Sequence, residues 1–405
     1  MWTSALSAPI SRARANNLFR IITVTFVPSF FTVGRAFVLG AIFLSPVVGG
    51  QLQAETLREA FADDFLIGVA LNGLMVEHPR SPAAQIAARQ FSALTPENDM
   101  KWQAIHPAPD RYSFSAADHY VLFAEANDMD VIGHTLVWHS QTPEWVFQDA
   151  QGNDLTREAL LARMRDHIHT VVGRYQGRVK GWDVVNEAID DTSGGLRESP
   201  WRRIIGDDYI AQAFRFAHEA DPEAELYYND YSLVKPEKRA PTLEMLRGLI
   251  AEDVPISGVG MQGHYHLDWP TAAELDAAIT DFAALGLKVM ITELDVDVLP
   301  SRGEAGVADI ARHEKADAAS NPYTEGLPVE VQAQLADRYA ELFGVFMQHR
   351  TEITRVTLWG LDDGSSWLNH FPIFGRTNYP LLFDRALEPK PAFDAVRQVG
   401  LTTAP

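Results

Sequence analysis

From residue 55 onward the chain alternates between short apolar, β-branched runs and longer segments in which apolar residues recur every three or four positions. The short runs are Phe65–Asn72, Ser92–Asn98, Val131–Trp138, Gly181–Asn186, Glu225–Asn229, Gly258–Gly263, Lys288–Thr292 and Arg355–Gly360. Near-continuous hydrophobicity of this kind suits parallel strands buried on both faces. The segments between them have helical spacing. In Arg157–Tyr175, residues Leu160, Leu161, Met164, Ile168, Val171 and Val172 make one wide stripe. Thr271 and Glu274 stand at the spacing of a capping box, in which each side chain satisfies a free N–H at a helix start. Glu330–Gln348 and Ala392–Val399 complete the set. Eight alternating units predict an α/β fold, a closed (β/α)8 TIM barrel occupying 55–405 as one domain. An open doubly wound sheet would share the alternation, but no glycine-rich phosphate loop follows the first run. The longest irregular stretch, Leu299–Pro328, follows the seventh strand, where loops of a barrel shape its site.

Residues 1–54 break this rhythm. They hold Arg12, Arg14, Arg20 and Arg35 but no acid, with apolar runs at Ile21–Val33 and Ala36–Gly49. Positive residues, an apolar core and then small residues make a secretory signal pattern, with cleavage expected near Ala54 and export to the periplasm or the medium. An uncleaved membrane anchor is the alternative, although neither run reaches the roughly 20 apolar residues of a spanning helix. Without the four arginines, 30 bases face 54 acids, a charge of −24. A body that acidic repels phosphate backbones, which argues against nucleic-acid binding and favours a neutral substrate over a polyanionic one. With no cysteine, the chain can form neither a disulfide nor a thiolate metal site. Nothing in the pattern calls for a second subunit, and the monomer is the default.

The candidate chemistry lies at the C-terminal ends of the runs, the end of a barrel where catalytic groups collect. Glu187 closes Trp182-Asp183-Val184-Val185-Asn186-Glu187, and Glu293 stands in Ile291-Thr292-Glu293-Leu294-Asp295. A pair of carboxylates on one rim is the equipment for cleaving a glycosidic bond. Glu293 and Asp295 are two apart and share a strand face, with His264 a candidate to lie between them. Other runs end in Glu97-Asn98-Asp99-Met100-Lys101-Trp102, in His134-Thr135-Leu136-Val137-Trp138-His139-Ser140-Gln141, in Tyr228-Asn229-Asp230-Tyr231, in Gln262-Gly263-His264, and in Trp359-Gly360 with Trp367 close behind. One such cluster could be a satisfied buried network; five at the same rim point to a site. Flat aromatic faces at the rim match the apolar faces of pyranose rings, while amides, carboxylates and a lysine address hydroxyls. His264-x-His266 raises a metal alternative, but no supporting histidine cluster stands near the first strand, so neither a metal nor another cofactor is expected.

Together and in order, these motifs resemble the family-ten glycoside hydrolases, mainly endo-β-1,4-xylanases, from about Leu57 to Gly400. The resemblance implies a retaining barrel enzyme acting on xylan, with Glu187 as acid/base and Glu293 as nucleophile. It implies that Glu97, Asn98 and Lys101 hold the sugar two sites upstream of the cut. His134, Trp138, Gln141, Asn186, Gln262 and His264 would line the sites around the cut, and Trp359 and Trp367 would wall the glycone side. Asp295 would orient the site histidine, and Tyr231 joins the substrate-binding set. Ser232 stands where the family often has Asn, and Leu299–Pro328 is longer than in compact members. Both departures bear on the leaving-group side. A disulfide near strand eight, present in many relatives, cannot form here.

Retention would need the two carboxyl groups about 5–5.5 Å apart, with one proton shared between them near neutral pH. A related barrel acting on β-1,4-glucan or mannan is the nearest alternative, since one hydroxymethyl group separates xylose from glucose. A non-catalytic carbohydrate-binding barrel would have lost one of the glutamates, and both are present.

Overall fold

The eight apolar runs form eight parallel strands: β1 (Leu66–Leu71), β2 (Ala93–Pro96), β3 (Asp130–Trp138), β4 (Gly181–Asn186), β5 (Glu225–Asp230), β6 (Gly258–Met261), β7 (Lys288–Asp297) and β8 (Ile353–Leu358). The computed structural model describes residues 56–300 and 314–402, all within the unit Leu52–Pro405, one of two into which the chain divides. The expected signal segment 1–54 lies outside the described residues. Neighbouring strands pair in chain order, and β8 pairs with both β7 and β1, with Leu66 opposite Arg355 and Val69 opposite Leu358. The sheet therefore closes into a barrel and leaves no edge between β1 and β8. At least one helix follows every strand, from Pro82–Gln90 after β1 to Pro391–Thr402 after β8.

Burial explains the strand composition. The outward side chains pack under the helices in one large cluster, while Ile132, Tyr227 and Met290 form a small separate one. Those three come from β3, β5 and β7, which is the alternate-strand layering of a filled barrel interior. The helices follow their stripes. Arg157–Arg174 is capped by Thr156, whose side chain accepts from the Ala159 N–H, and it buries Leu160, Met164, Ile168, Val171 and Val172. Leu161, expected in that stripe, is only half-buried; His167 is fully buried on it instead. Thr271 and Glu274 form the expected capping box on Ala272–Ala283.

Two expectations are corrected. β7 was expected to stop at Thr292; it continues through Glu293 and Asp295 to Asp297, because His264–His266 pairs alongside it. Glu293 is therefore held in regular extended backbone rather than at a frayed end. The stretch after β7 is not wholly irregular either: Glu314–Lys315 pairs with Ile373–Phe374, which ties it to the loop beyond β8. No described helix is long and apolar enough to cross a membrane.

Candidate active site

Glu187 and Glu293 lie at the same rim, each more than nine-tenths buried. They are cross-tied through two strands that stand between them. The Asn229 carbonyl accepts from the Glu187 N–H at 2.9 Å, while the Asn229 Nδ2 donates to Glu293 Oε1 at 2.8 Å. Reciprocally, the Gln262 carbonyl accepts from the Glu293 N–H at 2.6 Å, and Gln262 Nε2 donates to Glu187 Oε1 at 2.9 Å. Residues at the ends of β5 and β6 thus grip one glutamate by its backbone and the other by its carboxylate. Trp138 Nε1 donates to the second oxygen of Glu187 at 2.8 Å. Glu187 holds φ at +57°, outside the ordinary range for a residue with a Cβ, as does Gln141 at +44°. Each such residue costs about 1–3 kcal/mol, and it persists where the surroundings over-determine it.

The two carboxylates differ in environment. His264 Nδ1 lies 3.0 Å from Asp295 Oδ1, and its Nε2 lies 3.4 Å from Glu293 Oε2. Burial alone would lower the imidazole pKa, but the charge and hydrogen bond of Asp295, joined by Glu293, push it up to about 10. His264 is therefore a cation at neutral pH. For Glu293 burial acts upward, but the His264 hydrogen bond, the charges of His134 and His264, and the Asn229 amide bring it below the usual glutamate value. Glu293 is held ionised. Both ring nitrogens of His264 are engaged by carboxylates, which leaves none for a metal. Asp295 is itself fixed from the far side by Trp367 Nε1 at 2.7 Å.

The remaining candidates surround this pair. His134 Nδ1 lies 2.9 Å from Asp183 Oδ2, and its ring meets Trp359 edge-on at 5.4 Å. Lys101 Nζ donates to Asn98 Oδ1 at 3.0 Å and to Gln141 Oε1 at 2.9 Å, and lies 5.0 Å from the Trp138 ring centre. Burial lowers the Lys101 pKa and raises that of Glu97, each partly offset by the other. Lys101, Asn98 and Gln141 thus form a donor-and-acceptor patch beside an aromatic wall, the equipment to read sugar hydroxyls. Tyr231 is engaged differently: its hydroxyl contacts both Asp191 oxygens at 2.5–2.6 Å and accepts from Arg197.

Asn229, one residue of the Tyr228–Tyr231 strand-end motif, sits at the centre of the site. Fully buried, its Nδ2 serves both Asn186 and Glu293, and its Oδ1 accepts from Thr292 Oγ1 at 2.6 Å. This leaves the amide nitrogen of Asn186 free of that bond and able to donate. The signal that could have found Asn229 was its polarity at the end of a strand whose other inward position is buried Tyr227. Asp183, buried beneath His134, is a second such residue, and Arg197 a third.

The sequence pattern described as glycosyl hydrolase family 10 matches residues 56–399. An endo-1,4-beta-xylanase A of Xylanibacter ruminicola is 44% identical over 355 residues, covering 88% of this chain and 96% of its own length. An endo-1,4-beta-xylanase of Geobacillus stearothermophilus is 45% identical over 339 residues, covering 84% and 96%. Among solved structures, a GH10 endoxylanase from a sugarcane soil metagenome superposes with a TM-score of 0.80 at 43% identity, covering 85% of this chain and 99% of that one. An endo-1,4-beta-xylanase from Caldicellulosiruptor owensensis gives 0.75 at 42% identity, covering 84% and 99%.

Proposed function

The chain belongs to glycosyl hydrolase family 10, and from that premise we propose that it is a retaining endo-1,4-β-xylanase in which Glu187 is the acid/base and Glu293 the nucleophile. The observation that carries the assignment is the asymmetry of the pair. Glu293 is kept anionic by a cationic histidine and an amide donor. Glu187 faces Gln262 and Trp138, with no cation among the described residues within salt-bridge distance of its carboxylate.

Glu293 attacks the anomeric carbon as the glycosidic C–O bond breaks, and Glu187 passes its proton to the departing oxygen. The product is a glycosyl ester on Glu293 and a freed chain end. Glu187, now a carboxylate, takes a proton from water; the hydroxyl oxygen bonds to the anomeric carbon and the Glu293 ester is released with net retention. Asn186 is placed to donate toward a hydroxyl beside the reacting carbon, since its Oδ1 is occupied by Asn229. The Lys101, Asn98 and Gln141 patch with Glu97, and the Trp138, Trp359 and Trp367 faces, supply the sugar contacts.

Glu293→Ala is expected to abolish turnover of xylan. Glu187→Ala is expected to spare substrates with good leaving groups, and azide should then enter as a retained glycosyl azide. Wild-type activity in Glu293→Ala would overturn the assignment. Sugar release from xylan, cellulose and mannan, with product lengths, tests the substrate class and the internal mode of cleavage. We also infer export, supported by the arginine, apolar and small-residue order of residues 1–54. N-terminal sequencing of activity recovered from the medium or periplasm tests this.

A further inference from the structure

The segment after β4 folds back on itself. Ile189 and Leu196 form an antiparallel bridge, and the Asp190 N–H donates to the Gly195 carbonyl. This brings Arg197 against the backbone it has just left. Its N–H donates to the Ala188 carbonyl at 2.7 Å, its Nε to the Glu187 carbonyl at 3.1 Å, and its Nη2 to the Ile189 carbonyl at 3.1 Å. One residue therefore holds three successive carbonyls, beginning at the left-handed Glu187. Its charge is balanced by Asp191 at 3.6 Å, and its Nη2 also donates to the Tyr231 hydroxyl at 3.0 Å. Lys238 closes the network, reaching Asp191 at 3.0 Å and Asp230 at 2.9 Å. A few residues on, Trp201 Nε1 donates to the carbonyl of Trp138, whose own indole binds Glu187.

We propose that Arg197 is the positioning residue of the acid/base: its grip on residues 187–189 keeps Glu187 in its left-handed backbone and so aims the carboxyl at the leaving oxygen. The inference rests on the reading of Glu187 as acid/base. A planar guanidinium suits this work because its fork reaches separate acceptors at fixed angles, which an ammonium cannot do. Without the clamp Glu187 keeps its N–H bond to Asn229 and the Ala188 N–H its bond to the Tyr228 hydroxyl at 3.1 Å, but the carbonyls of residues 187–189 lose the partner that fixes them, so Glu187 can relax towards an ordinary φ that draws its side chain off Gln262 and Trp138. The nucleophile has independent anchors in Asn229 and His264 and keeps its place. The same network accounts for Tyr231, whose hydroxyl serves Arg197 and Asp191.

The test compares phenyl and 2,4-dinitrophenyl β-xylobiosides, which differ in their need for a proton donor. For Arg197→Met, kcat/KM on the phenyl substrate is expected to fall about 100-fold, the scale of a misplaced catalytic group, and on the dinitrophenyl substrate no more than about fivefold. Azide should restore dinitrophenyl kcat. Turnover of the dinitrophenyl substrate itself reports a folded site. Arg197→Lys, which keeps the charge but not the fork, should show the same leaving-group dependence to a smaller degree; it carries the test if the methionine variant does not fold. Equal losses on both substrates, or none, with Glu187→Ala showing the leaving-group dependence, would overturn the clamp alone. Uniform loss in Glu187→Ala itself would overturn the acid/base reading and the clamp with it.

Discussion

At the scale of single residues, the site depends on a few buried polar groups whose every bond is used. Asn229 joins Asn186, Glu293 and Thr292 through one amide. Asn229→Ala should lower kcat by about 100-fold with a much smaller change in KM, because it unseats Glu293, the proposed nucleophile, rather than the outer residues of the rim; a loss confined to KM would show that Asn229 acts on binding instead. His264 acts through charge. With His264 present, Glu293 sits below the ordinary glutamate value despite burial. In His264→Ala the burial contribution is left less opposed, so the pKa of Glu293 rises and the acid limb of the kcat/KM profile moves to higher pH. A limb that stays in place or moves to lower pH would refute this account. The glutamates, His264 and Asp295 were legible in the sequence because they end or follow apolar runs at two-residue spacing. Asn229 and Arg197 were harder to read: the chemistry of each comes from partners 43 and 64 residues away for the first and from a folded-back loop for the second.

At the scale of elements, positions too small for a side chain decide where the functional ones go. A Cβ built on Gly260 of β6 would lie 2.4 Å from Asn229 Oδ1 and 2.7 Å from Thr292 Cγ2. Gly260→Ala should therefore push Asn229 off Glu293 and remove activity by about tenfold or more at a stability cost of about 1–3 kcal/mol, typical of overpacking. Retained kcat with reduced denaturant midpoint would mean the strain is absorbed elsewhere. Gly133 is tighter, with a would-be Cβ 2.1 Å from the Trp182 ring, but there the clash is on the outer, structural face, so stability rather than kcat is expected to suffer. The eight strands were readable because a parallel barrel buries both faces of each one, which writes continuous apolar runs into the chain. The length of β7 was not, since its second half is held by His264–His266, a pairing that exists only after β6 and β7 are adjacent. The stretch beyond Leu299 hid a short strand for the same reason: two residues carry no periodicity, and their partner lies beyond β8.

At the scale of the whole molecule, histidines placed in opposite environments bound the pH range of stability. His106 and His167 face one another Nδ1 to Nδ1 at 3.1 Å, both buried, with His167 stacked 3.6 Å from Trp102 and His106 stacked 3.8 Å from Tyr112. Burial lowers both, His167 far below the ordinary histidine value with a further push from His106. On His106 the Pro109 carbonyl and Asp166 act upward and Arg163 downward. One Nδ1 must donate and the other accept, and His167 Nε2 has no hydrogen-bond partner among the described residues, so an added proton has nowhere favourable to sit. The unfolded chain takes up protons below about pH 6.5 that the folded chain refuses, and stability falls as pH drops through that value, by up to about 1.4 kcal/mol per pH unit for each histidine. His264 has the opposite sign. Raised to about 10, it contributes fully below about pH 6.5, and its contribution fades as pH climbs towards about 10. The two effects place the stability maximum near neutrality. Denaturant unfolding across pH 4.5–9 checks this, and His167→Leu isolates the acid side: it should cost stability at pH 7 yet flatten the slope between about pH 6.5 and 5. An unchanged slope would assign acid sensitivity to the carboxylates instead.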